Sequence, residues 1–211
     1  MNIKTMKFLS HVIFFGALWG ILEATLGFAL HLIPVPFIAG SVMFPIGAAV
    51  LVTSYRRLPS RRAMLMVAII AAAIKSVNLL TPVPTFSVTN PMASIILQSL
   101  VVIGAVGMLN KKTLPSLAGG FVLASIGWRA AYMLWHQALI ASPIEFFSPH
   151  LATMQAFATF TLIEGLISAV VGVLIFILIN KIAAPSLREM RLHPSLAPLA
   201  LTLALVVSYF I

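Results

Sequence analysis

Nearly the whole chain is a succession of apolar runs, each long enough or nearly so to cross a bilayer core, separated by short polar punctuation. Seven runs can be read, at about residues 8–33, 36–54, 63–80, 91–109, 114–138, 155–182 and 195–211. A helix rises about 1.5 Å per residue and a membrane core is about 30 Å thick, so about 20 apolar residues suffice for one crossing. Lipid offers no partner to backbone polar groups, which leaves helices or closed barrels, and runs of this length are helical. The expected fold class is therefore all-α, a polytopic bundle of six to seven transmembrane helices. Composition agrees: 61% of residues are hydrophobic, 8% are charged and the mean hydropathy is +1.12.

The punctuation sets the topology. Pro34 and Pro36 follow the first run, the Arg56–Arg62 loop follows the second, and Pro82, Pro84, Asn90 and Pro91 follow the third. Asn110, Lys111 and Lys112 come next, then a longer connection around Ser142–His150, then Pro185–Pro194. Lys4, Lys7, Arg56, Arg57, Arg61, Arg62, Lys111, Lys112, Lys181, Arg188 and Arg191 all fall on one side, and the opposite loops contain no Lys or Arg. By the positive-inside rule the N-terminus is cytoplasmic, and seven spans would put the C-terminus outside. The net charge of +9 is thus a consequence of topology, and nucleic acid is not an expected partner. Lys4 and Lys7 before an apolar run resemble a signal peptide, but the run's length and the lack of a small-residue cleavage site favour an uncleaved first span.

Cysteine and aspartate are absent, so carboxylate chemistry falls to Glu23, Glu145, Glu164 and Glu189. Zinc-protease, nucleophile-elbow and Walker A patterns are missing, and the chain is not expected to be an enzyme or to hydrolyse ATP itself. No two histidines are spaced i, i+3 or i+4, and no metal or other cofactor is expected.

Against this apolar background the buried polar residues stand out. Glu23 lies in the first run, Lys75 in the third, Arg129 in the fifth and Glu164 in the sixth. Counting about 1.5 Å per residue from the loops places all four between mid-membrane and the outer surface. Asn78, Gln98, His31 and His136 share that layer, whereas His11 and His193 fall near the cytoplasmic face. Trp128, Tyr132 and Trp135 form an i, i+4, i+7 stripe beside Arg129. Two readings stand open. Two acids and two bases can neutralise one another and merely pin a bundle. Alternatively, polar groups from at least five spans line an outward-facing pocket, with aromatic faces for a flat ring and Arg129 or Lys75 for an anionic group. The pocket residues would be Glu23, Lys75, Asn78, Gln98, Trp128, Arg129, Tyr132 and Glu164. The connection at about Gln137–Met154 is a candidate gate or an interfacial anchor.

In the first run, Gly16, Gly20, Glu23, Gly27 and His31 share one helical face, and Gly16-xxx-Gly20 is a small-xxx-small packing pattern. Gly104, Gly107, Gly119, Gly120, Gly165 and Gly172 also suggest close helix contacts.

This layout resembles the substrate-binding S component of energy-coupling factor vitamin transporters. The shared features are the small apolar chain, the small residues Gly16, Ala17, Gly20 and Ala24 in the first helix, the turn Ile33-Pro34-Val35-Pro36, and the polar set in the outer half. The resemblance implies a six-helix bundle over 1–183 in a prokaryotic cell membrane. It would capture a small, water-soluble, ring-containing, vitamin-like solute from outside. It also implies docking of Gly16, Gly20 and Ala24 on a coupling membrane subunit driven by ABC-type ATPases. Residues 184–194 would then be a cytoplasmic linker, and 195–211 an additional C-terminal transmembrane helix outside the family's plan. A structural or assembly subunit without ligand, and an intramembrane lipid-modifying enzyme, are the alternatives.

Overall fold

A computed structural model describes residues 3–34, 38–111, 113–140, 149–182 and 193–211. Among the described residues every regular element is helical. Six helices among the described residues are long and apolar enough to cross a membrane: α1 Lys4–His31, α2 Ile38–Arg57, α3 Arg61–Leu80, α4 Thr85–Leu109, α5 Leu114–Ala138 and α6 Met154–Lys181. The chain is a multi-pass helical membrane protein. A seventh helix, α7 Leu196–Phe210, has 15 residues and is about 22 Å long at helical rise, shorter than a bilayer core.

The helices α1, α3, α4, α5 and α6 form an arc in that order, and α2 packs against α1, α3, α4 and α6 in the middle. The residues of α2 suit that position. Gly47 leaves room for the Trp19 ring of α1, whose Cζ2 lies 2.6 Å from where a Cβ would stand. Pro45 lies inside α2 and lacks the N–H that would bond the carbonyl of Ser41 one turn earlier. That carbonyl instead accepts a hydrogen bond from Ser168 Oγ of α6, at 3.1 Å. A missing backbone bond in one helix has become a link to the next.

Helix α4 starts at Thr85, six residues before the segment expected from sequence, and runs through Pro91. Pro91 lies beyond the first turn, so it removes the helical N–H that would bond the carbonyl of Ser87. Ser87 Oγ donates to the Pro84 carbonyl at 2.7 Å and Thr89 Oγ1 to the Thr85 carbonyl at 3.1 Å, closing the first turns.

The small-residue faces are put to several uses. A Cβ on Gly16 would lie 2.6 Å from Ile70, and one on Gly20 would lie 2.8 Å from Ile74. The chain's own α3 therefore fills this face, and Ala24 is buried as well. The expectation that Gly16, Gly20 and Ala24 stand open to a coupling subunit is corrected accordingly. Next to them α7 lies along α1 and α3, with Ala17, Ile74 and Ala204 forming a small core. Gly119, Gly120, Gly165 and Gly172 do meet side chains of neighbouring helices, but Gly104 and Gly107 face open space.

At the Lys/Arg-rich end, Arg56 does more than supply loop charge. Its Nε donates to Asn110 Oδ1 at 2.9 Å, its Nη1 donates to Asn180, and the guanidinium lies over Phe176. His11, expected at the membrane surface, is instead buried and shares a 2.8 Å hydrogen bond with Ser54 of α2. His193 is exposed, as a surface position requires. The expected gate falls mostly on residues 141–148, and the expected linker mostly on 183–192. Both stretches, with Lys112, Glu145, Arg188, Glu189 and Arg191, lie outside the described residues.

Candidate functional site

Toward the end of the bundle opposite the basic loops, the helices part around a cavity of about 700 Å³, within the size range of small-molecule sites. Glu23, Lys75, Asn78, Gln98, Trp128, Arg129, Tyr132 and Glu164 all line it. The eight residues come from five of the six long helices, and α2 adds Gly40 and Met43.

Both acids sit beside a local widening of their helix. Residues Glu23–Gly27 form a π turn in α1, and Thr159–Ile163 form another in α6, ending at Glu164. Such turns insert one extra residue and rotate the side chains beyond them, and they occur often at functional sites. The first breaks the regular α1 face expected from spacing. Gly16 and Gly20 meet α3, while Glu23, Gly27 and His31 line the cavity. Glu23 is fixed from below by Trp19, whose Nε1 donates to Oε1 at 3.0 Å. A Cβ on Gly27 would stand 3.3 Å from Glu23 Oε2, so the glycine gives the carboxylate space. His31 Nδ1 donates to the Gly27 carbonyl at 2.7 Å.

On the opposite wall Arg129 is fully buried, and Glu164 is 6% exposed. The Arg129 guanidinium lies 4.7 Å from the centre of the Trp128 ring and 5.5 Å from that of Phe160. Its Nη2 donates to Ser41 Oγ at 3.2 Å, which ties it to the helix that Pro45 has modified. The four charges sort into two neighbourhoods of opposite sign, Lys75 with Glu23 and Arg129 with Glu164.

Hydrogen bonding separates the residues that are already satisfied from those that are not. Asn78 Oδ1 accepts from Ser208 of α7 at 2.8 Å, and Gln98 Nε2 donates to Ser94 Oγ at 2.9 Å. By contrast Arg129 Nε and Nη1, both Glu164 oxygens, Gln98 Oε1, Asn90 Oδ1 and Trp128 Nε1 are buried without a hydrogen-bond partner among the described residues. A buried polar group left unmatched costs about 1–3 kcal/mol, more when charged, so several on one cavity wall call for an explanation.

Aromatic rings complete that wall. Trp128 stacks on Phe44 at 5.8 Å, Phe160 meets Trp128 edge-on, and His150 stacks on Phe160 at 4.3 Å. His150 lies just before α6; burial, and then the Arg129 charge, hold its imidazole below the usual 6.5. The aromatic stripe of α5 splits, because Trp135 is 39% exposed and takes no part in the cavity. His136 is buried against Tyr132, with 4.1 Å between ring centres. Among the described residues no group of three His, Cys, Asp or Glu could hold a metal.

Sequence reasoning missed Ser41 and Phe160. Phe160 had one available signal, since it precedes Glu164 by four residues, but Ser41 had none without the partner helix. No family model matches this chain, and no curated protein and no solved structure matches it.

Proposed function

We propose that this chain is a substrate-binding membrane protein that captures a small, water-soluble, ring-containing solute in the cavity between its helices. One observation carries the reading: donors and acceptors of Arg129, Glu164, Gln98 and Trp128 converge, buried and unmatched, on one aromatic-walled cavity. A ligand that matched them would remove the cost of leaving them bare. The Lys/Arg asymmetry supports a cytoplasmic N-terminus in a prokaryotic cell membrane, and with it a cavity facing the outer side. The likeness in layout to energy-coupling factor S components supports transport with a partner ATPase complex, since this chain has no nucleotide loop of its own. With the Gly16/Gly20 face filled by α3, such a partner would dock elsewhere.

The purified protein should gain thermal stability when incubated with a small-molecule extract of its native cells, by mass action on the folded state. Gln98→Leu and Glu164→Gln should lose that gain while remaining folded without extract. A wild-type protein that gains nothing would refute the reading.

The second reading, a bundle pinned by its own polar groups, is favoured by Glu23 and Asn78, whose side chains are bonded inside the protein. It requires every charge removal to lower stability and none to change an extract effect.

A further inference from the structure

The unmatched atoms describe their ligand more closely than size and aromatic walls do. The donors on offer are Arg129 Nε–H and Nη1–H and Trp128 Nε1–H; the acceptors are the two Glu164 oxygens, Gln98 Oε1 and Asn90 Oδ1. Arg129 already has Trp128 and Phe160 rings beside its guanidinium carbon and Ser41 on Nη2, which leaves Nε–H and Nη1–H for a ligand. Donors and acceptors are balanced in kind. So are the charges of the lining, Glu23 and Glu164 against Lys75 and Arg129.

An anion would suit the Arg129 edge but would face the Glu164 carboxylate and leave it, and Gln98, with no donor. A cation would satisfy Glu164 and repeat the conflict at Arg129. A zwitterion would match both charges, yet it would have to shed the water around two full charges to reach a wall so deeply buried. A neutral group with a carbonyl next to an N–H serves Arg129 and Glu164 at once without bringing a net charge to either. Its oxygen accepts from Arg129 and its N–H donates to Glu164, beside Trp128, Tyr132 and Phe160, whose mutually inclined rings offer both faces and edges to a flat group.

We infer that the cavity recognises a flat, neutral heterocycle through a lactam-type edge, placed between Arg129 and Glu164. This deepens the proposed function and rests on it.

The test is equilibrium binding to the full-length protein in mild detergent. The probes are uracil, hypoxanthine and lumazine as neutral lactams, benzoate as anion, benzamidine as cation and L-phenylalanine as zwitterion. At least one lactam should bind about tenfold tighter than any charged probe, a difference of about 1.4 kcal/mol. In Glu164→Gln that lactam should weaken about tenfold and benzoate should strengthen, because Arg129 then faces no carboxylate. A charged probe that binds wild type as tightly as the best lactam overturns the inference and leaves the proposed function standing. So does failure of all three lactams while the cell extract still stabilises the protein. If neither the probes nor the extract act, both fall together.

Discussion

Replacing Gly47 by alanine probes the contact that sets Glu23 in place. The new methyl would lie 2.6 Å from Trp19 Cζ2, 2.8 Å from Cε2 and 3.2 Å from Nε1. Carbon atoms rest at about 3.5–4.0 Å, so the indole must retreat by about 1 Å. Trp19 is fully buried. Overpacking of this kind costs about 1–3 kcal/mol. The retreat also breaks the 3.0 Å bond from Trp19 to Glu23, and a bond to a charged group is worth about 1.5–3 kcal/mol. Alanine's better helix propensity returns about 1 kcal/mol. The net loss is about 1.5–5 kcal/mol. For a chain of this size the middle of that range lowers the melting temperature by roughly 10 °C. The assay is thermal unfolding in mild detergent, followed by helical circular dichroism. Trp19→Phe, which removes the N–H donor and part of the ring bulk without overpacking, should fall less. A Gly47→Ala protein that melts within about 1 °C of wild type would refute the wedge and the positioning of Glu23 that depends on it.

Other outcomes follow from the same structure. Arg129→Met leaves Glu164 buried without its counter-charge and should cost about 3–5 kcal/mol. Glu164→Gln should cost less, since Arg129 keeps its rings and Ser41, and equal melting losses would contradict this asymmetry. His150 has a folded value depressed below 6.5, so the unfolded chain takes up its proton first on acidification. The stability it supports is whole above pH 6.5 and is lost as the pH falls from there toward the folded value. His150→Phe, which keeps a ring on Phe160, should therefore show a shallower fall in melting temperature between pH 7 and pH 5, and superimposable curves would count against it. Because the chain has no cysteine, single substitutions report topology cleanly. In intact cells Thr81→Cys should react with an impermeant maleimide and Ser60→Cys should not; the reverse pattern would invert the orientation.

The eight cavity residues were legible in the sequence because membrane helices carry so few polar side chains that each one at depth marks an inward face. Counting residues from charged loops then gave their common level. What pattern reading missed depends on contacts between distant segments. Ser41 is an unremarkable serine until Pro45 frees its carbonyl for Ser168 and Arg129 reaches its hydroxyl. The face through Gly16, Gly20 and Glu23 assumes an unbroken 3.6-residue period, which the π turn at Glu23–Gly27 interrupts. Small residues announce a close neighbour without naming it, so Gly16 and Gly20 fitted a partner protein as well as they fit α3. His11 sits near a basic end, yet Ser54 on the neighbouring helix gives it a buried partner.

The most direct test of the central claim is native mass spectrometry of the protein extracted from its own membranes in mild detergent. A small molecule should be retained near one per chain and be lost in Glu164→Gln at unchanged helical content. A folded wild-type protein that carries no ligand, and takes up none from the cell extract, would contradict the claim.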